Sequence, residues 1–212
     1  MAGGGSIVEL NRCRTAWSRL KGGGLGRAMA PARILNLVLS DVPGQGPELV
    51  ASGPTVVAEA ETLVVGDNLR AQRATGLQLG VPAYLEGEAR DAGAHFYAGC
   101  GEAARVAGGE TTVTVRGPGR GGRNQEFVLG ALASGYRGGL LLSLGTDGTD
   151  GPSSLAGALL DEAVVAQAAA QGLDPAAVLE ANDSESFFRK AGGGIETGPI
   201  GTNVADLVIY LP

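Results

Sequence analysis

The sequence predicts an α/β fold: a mixed or largely parallel sheet with flanking helices. Short apolar runs recur at Ile34–Leu39, Leu63–Val65, Leu140–Leu144 and Leu207–Leu211. Longer stretches with helix-capping residues and glycine stops separate them, and this alternation is the pattern of a sheet covered by helices. The 37 glycines cluster in turns at no fixed period, which excludes collagen-like and solenoid architectures.

The opening MAGGGS reads as a flexible leader. Ile7 to Leu20 suits a helix with Trp17 and Leu20 on a modest apolar face, and Lys21-Gly22-Gly23-Gly24 ends it. Ile34–Leu39 reads as a buried strand running into a turn over residues 40–44, and residues 51–55 form another turn. After the Leu63–Val65 strand, Asp67 is placed to cap a helix reaching Leu79. Leu85 to Ala94 reads as helix, with short strands at His95–Ala98 and Thr111–Arg116. Asn124–Ser134 follows as helix and Leu140–Leu144 as a buried strand. Ser154 is placed to cap a helix from Leu155 to Gln171 that Gly172 closes. Asp174-Pro175 opens a short helix, Ser184–Lys190 is another, residues 197–203 are loop, and Leu207–Leu211 is the last strand.

At 212 residues the chain suits one large domain, or a small domain plus part of another. No apolar run is long enough to span a bilayer and no signal peptide opens the chain. Cys13 and Cys100 lie far apart with no C-x-x-C, so the expected setting is the reducing cytoplasm. A formal charge of −6 argues against nucleic acid as partner.

The chemistry gathers between Thr111 and Leu144. Gly117, Gly119 and Gly122 fit G-x-G-x-x-G at a turn between an expected strand and a helix start. A helix N-terminus offers unpaired N–H groups and partial positive charge to an anion. Gly119, Gly121, Gly122 and Asn124 would supply the cradle, with Arg120 and Arg123 as bidentate donors. Asp41 and Asp147 follow apolar strands, and Asp150 repeats the Thr-Asp-Gly of Asp147. Such aspartates hold Mg²⁺ or orient a hydroxyl, or else close an Asx turn. Lys21 either reaches a phosphate or carboxylate or complements its helix dipole. His95 reads as structural. A nicotinamide-binding reading of the glycine turn stays open, although two arginines suit a transferring phosphoryl group or a carboxylate better.

The segments GRGGRNQEF, SLGTDGTDGP, NDSESFF and TGPIGTNVADLVIYL together resemble the C-terminal MOFRL domain of the glycerate 2-kinases, once widely labelled hydroxypyruvate reductases. LKGGGLGRAMAPARILNLVLSDVPG and ASGPTV resemble the last part of that family's N-terminal domain. The resemblance implies residues 1–60 as the remnant of a Rossmann-like domain and 61–212 as a smaller α/β domain, with the active site between them. It implies transfer of the γ-phosphoryl of ATP to the 2-hydroxyl of D-glycerate with Mg²⁺. Arg123 would stabilise charge, and Lys21, Asp41, Ser52, Gly53, Asp147 and Thr202 would line the cleft, with Asp147 or Asp150 on the metal. The family's long N-terminal portion, with its Gly-Lys segment, has no counterpart here, so a truncated member or one half of a split enzyme is expected. A complementing chain or a homo-oligomer is the expected partner. The readings kept beside it are an NAD(P)-dependent reductase and a non-catalytic fragment that binds a small anion or a partner subunit.

Overall fold

The computed structural model describes residues 7–41 and 46–212, apart from the side chains of 7–11 and 81–83. The leader and most of the turn after Ser40 lie outside the described residues. The chain divides into two compact units, Met1–Asp67 and Asn68–Pro212.

The first unit contains helices α1 (Ile7–Trp17) and α2 (Gly24–Ala28) and strands β1 (Leu35–Ser40) and β2 (Glu61–Asp67). The strands pair in parallel as a two-stranded sheet, with Leu37 beside Leu63. The buried strand expected at Ile34–Leu39 forms, but it is not buried on both faces. Leu35, Leu37 and Leu39 stand exposed with Leu63 and Val65, while Asn36 and Ser40 face inward. The apolar run thus reflects an uncovered sheet face, not a core. Trp17 and Leu20 are exposed as well, so the apolar face expected on the first helix is not packed. Asp67 ends β2 and directly precedes a helix over Asn68–Ala74, where the sequence placed one, but that helix stops short of Leu79.

The second unit continues with α3 (Asn68–Ala74), β3 (Gln78–Leu85), α4 (Ala89–Ala98), β4 (Arg105–Gly109), α5 (Arg123–Ala133) and β5 (Leu140–Gly145). It ends with β6 (Gly157–Leu160), α6 (Glu162–Ala170), α7 (Pro175–Ala181), α8 (Ser184–Ala191), β7 (Gly194–Ile195) and β8 (Asp206–Leu211). The six-stranded sheet has the order β3-β4-β8-β5-β6-β7. Only β3 and β4 pair in parallel, so the sheet is mixed, as the sequence allowed. The core is built from Phe96, Phe127, Phe187, Phe188, Leu129, Leu141 and Leu160. Helices α4 and α5 cross closely: a Cβ on Gly93 would overlap the Phe127 carbonyl, and one on Gly130 the Arg90 carbonyl.

Several expected elements are corrected. Residues 78–85, partly assigned to helix, form β3, and His95–Ala98 is the last turn of α4, with His95 exposed. Thr111–Arg116 is not a strand; the strand is β4, and Thr112 makes a lone bridge to Glu88. The helix expected over Leu155–Gln171 is strand β6 followed by α6, capped by Asp161, whose carboxylate accepts from the Val164 N–H at 2.8 Å. Gly157 explains the difference. A Cβ there would overlap the Ser143 carbonyl, so glycine lets this segment lie against β5 as a strand.

Candidate active site

One end of the second sheet gathers the polar groups. In β8, Asp206 lies opposite Gly109 at the end of β4 and Gly145 at the end of β5. Glu110 follows the first glycine and Asp147 comes two residues after the second. Beyond this edge, the start of α5 brings in Arg123 and Asn124. Ligand sites at the C-terminal ends of strands are the common solution in α/β sheets.

Arg123 is fixed by carboxylates. Its Nε donates to Asp206 Oδ2 at 2.6 Å and its Nη2 to Asp206 Oδ1 at 3.0 Å. Its Nη1 donates to Glu110 Oε1 at 2.8 Å. Burial alone would lower the Arg123 pKa, but the bonds to Asp206 and the charge of Glu110 outweigh it and raise it. The arginine is therefore a permanent cation. Asn124 is buried and connects three groups. It donates to Asp206 Oδ1 at 3.1 Å and Asp150 Oδ1 at 3.3 Å, and accepts from Ser143 Oγ at 2.6 Å.

The helix N-terminus already has an anion. Asp150, 2% exposed, takes the backbone N–H groups of Asn124 and Gln125, each at 3.0 Å, and the Gln125 side-chain amide at 2.8 Å. Burial pushes its carboxyl up and the amide donors pull it back, leaving it raised. Burial likewise raises Asp206 against the pull of Arg123. The α5 amides expected to cradle a ligand thus bind a side chain of the protein, as helix N-termini bind anions generally.

The glycine turn is clasped from the other side by residues 181–185. Asn182, in a left-handed conformation that asparagine tolerates, accepts from the N–H groups of Arg116 at 2.7 Å and Gly117 at 2.9 Å. Its amide donates to Glu126 Oε1 at 2.7 Å, and Arg90 reaches Glu126 Oε2 at 3.3 Å. The Gly119 N–H donates to the Ala181 carbonyl, and the Glu185 N–H to that of Arg120. A Cβ on Gly121 would overlap Ser184 Oγ, and one on Gly122 the Asp150 carboxyl. These glycines permit close packing. With no strand before them, the dinucleotide fingerprint loses its strand–turn–helix setting.

A cavity of about 650 Å³ opens here, lined by Gly119, Gly121, Gly122, Arg123, Asp147 and Asp150 among others. Asp147 is half-buried, and its Oδ1 accepts from the Thr149 N–H at 2.9 Å. The structure therefore brings together Arg123, Asn124, Asp147, Asp150 and the glycines. Arg120 is not in the lining; it bonds the Pro152 carbonyl at 2.6 Å and pairs with Glu185. Thr202 is half-buried in the loop before β8, also outside the lining. In the first unit, the loop after Lys21 is tied to Ser52 and Gly53. The Gly22 N–H donates to the Ser52 carbonyl at 2.9 Å and the Gly23 N–H to that of Gly53 at 2.8 Å. Asp41 follows β1 directly. Among the described residues, no three His, Cys, Asp or Glu side chains form a metal-holding group. The sequence reading missed Asp206, Glu110 and Asn182. The available signals were an acid opening an apolar strand, and the unexplained Asn-Asp-Ser-Glu run.

The chain matches the MOFRL family over residues 103–206 and a domain of unknown function (DUF4147) over residues 1–84. It is 33% identical to the D-glycerate 2-kinase of Thermotoga maritima in an alignment of 265 residues, covering 98% of this chain and 63% of that protein. It is 33% identical to the glycerate kinase of Macaca fascicularis, covering 97% of this chain and 78% of that one. The crystal structure of the Thermotoga maritima glycerate kinase superposes with a TM-score of 0.85 at 32% identity, over 98% of this chain and 64% of that one. A Pyrococcus horikoshii protein superposes with a TM-score of 0.80 at 29% identity, over 98% of this chain and 63% of that one. The chain spans somewhat under two thirds of the Thermotoga relative's length, and it belongs to the glycerate kinase family.

Proposed function

We propose that this chain carries the phosphoryl-transfer side of a glycerate 2-kinase site, moving the γ-phosphoryl of ATP to the 2-hydroxyl of D-glycerate. The observation that carries this reading is Arg123, held along one edge by Asp206 at the wall of the 650 Å³ cavity with Asp147 in the same wall. Phosphoryl transfer needs positioning and charge neutralisation more than covalent chemistry from the protein. Arg123 would neutralise charge on the transferring group. Gly119, Gly121 and Gly122 would let the phosphates approach the backbone, and Asn124 would hold the arginine's base in place.

Mg²⁺ accompanies ATP and usually takes one or two protein carboxylates plus phosphate oxygens. Asp147, with Oδ1 engaged by a single backbone N–H, suits that role. Asp150, whose two oxygens accept from α5 amides, is better read as an anchor than as a ligand. When bound, the ion supplies charge neutralisation at the β- and γ-phosphates. Lys21, Asp41, Ser52 and Gly53 in the first unit, and Thr202 in the second, keep the ligand-binding roles that the family resemblance implies. The domain reading, 1–60 and 61–212, stays a proposal: the MOFRL match over 103–206 lies inside its second part, whereas the match over 1–84 runs past residue 60 and the compact units divide after Asp67. No described helix is long and apolar enough to cross a membrane, and a cytoplasmic setting is proposed on the free Cys13 and Cys100. The uncovered Leu35, Leu37 and Leu63 support self-association or a complementing chain, which size-exclusion chromatography tests.

The deciding experiment couples ADP release to D-glycerate addition in wild type and Arg123→Ala. Turnover in the wild type with loss of at least about 10²-fold in the variant is expected. Equal rates would remove Arg123 from the mechanism.

A further inference from the structure

Arg123 is held by two carboxylates of unlike kind. The Asp206 side chain is 7% exposed and binds the Nε–Nη2 edge twice. It also accepts from Asn124. Breaking that contact would strand a buried charge. The Glu110 side chain is 54% exposed and makes one bond, to Nη1. Water can replace that bond immediately, and exposed pairs of this kind contribute little.

The backbone beneath Glu110 is fixed. Its N–H donates to the Leu85 carbonyl at 3.0 Å, and a Cβ on the preceding Gly109 would overlap that same residue. Only the Glu110 side chain has freedom to leave. The Nη1 side is thus the part of the guanidinium that can change partners, while Asp206 keeps its plane oriented. An oxyanion reaching for Arg123 competes with Glu110 and with no other carboxylate on Nη1 among the described residues.

We propose that Glu110 is a displaceable place-holder on Arg123, occupying Nη1 until a phosphate oxygen of the ligand takes that position. The assignment of the anion as phosphate rests on the kinase reading above; the exchange itself rests on the arginine's two unequal partners. Asp206 is then a positioning residue, and Glu110 sets the affinity for the anion.

The test is calorimetric titration of the full chain with inorganic tripolyphosphate. It compares wild type, Glu110→Gln, Glu86→Gln and Arg123→Ala. Glu86 is an exposed acid whose charge, like that of Glu110, acts on Tyr84, and it has no bond to Arg123. Glu110→Gln is expected to bind about two- to fivefold tighter, the factor set by releasing an exposed ion pair. Glu86→Gln should match wild type, and Arg123→Ala should bind at least about tenfold more weakly. The proposal is overturned if Glu110→Gln binds no tighter, if Glu86→Gln tightens binding equally, or if no variant binds tripolyphosphate. ADP release with D-glycerate is measured separately. Tightening without turnover sinks the kinase reading and keeps the place-holder, whereas turnover without tightening does the reverse.

Discussion

Asp206 reaches Arg123 from the first position of β8, directly across from Gly109 and Gly145, with two hydrogen bonds of 2.6 and 3.0 Å. The strand end is rigid, so the guanidinium plane inherits its orientation from the sheet. Replacing Asp206 with alanine would leave Arg123 to rehydrate and Asn124 short of an acceptor. A loss of about 2–3 kcal/mol in urea unfolding is expected. If Asp206 positions and does not bind substrate, kcat should fall at least about tenfold with KM nearly unchanged.

Asp150 should matter to stability more than to substrate binding. Its carboxylate satisfies two backbone N–H groups at the head of α5 and two side-chain amides. Asp150→Ala leaves the two N–H groups and the Gln125 amide buried without this acceptor, while the Asn124 amide keeps Asp206, and about 2–4 kcal/mol of destabilisation is expected. Chemical denaturation of the pure variant checks this. An unchanged midpoint would mean that α5 is held by other contacts.

The same residue gives a pH prediction. Burial raises the folded-state pKa of Asp150 above its ordinary value. The folded protein therefore holds the proton more tightly than the unfolded chain does. The resulting contribution to stability is present below the unfolded pKa and is lost as pH rises through the folded one. Carboxyl carbon NMR should show Asp150 titrating above the usual aspartate range. Subtracting the Asp150→Ala profile should reveal a contribution that declines with rising pH.

Gly122 and Gly101 separate packing from mere loop flexibility. A Cβ at Gly122 would overlap the Asp150 carboxyl, whereas Gly101 has nothing within 4 Å. Gly122→Ala is expected to lose about 2 kcal/mol or more, and Gly101→Ala to stay within about 0.5 kcal/mol of wild type. Comparable thermal midpoints for the two variants would refute the packing role.

Local signals were legible where they were self-contained. Asp174-Pro175 announced α7, and the Asp174 carboxylate accepts from the Ala176 N–H at 2.9 Å. The helix after the glycine turn, the strands at Leu140 and Leu207 and the loop over 197–203 also formed where the pattern placed them. The readings that failed depended on neighbours. Leu155–Gln171 carries residues that suit helix or strand, and contact with β5 decided between them. Ile34–Leu39 is apolar enough for a core, yet its burial depended on what packs over it.

The sequence by itself determined the α/β class, the family, and the concentration of chemistry around Arg123, Asp147 and Asp150, because motifs and hydrophobic periods are local properties. Only the tertiary structure decided which charges meet. It turned Asp150 inward onto the amides that a ligand was expected to occupy, and set Asp206, 83 positions from Arg123, beside it. Pairings over such separations follow from strand order and register. The energy of a buried charge pair depends on a distance that the linear order of residues does not contain.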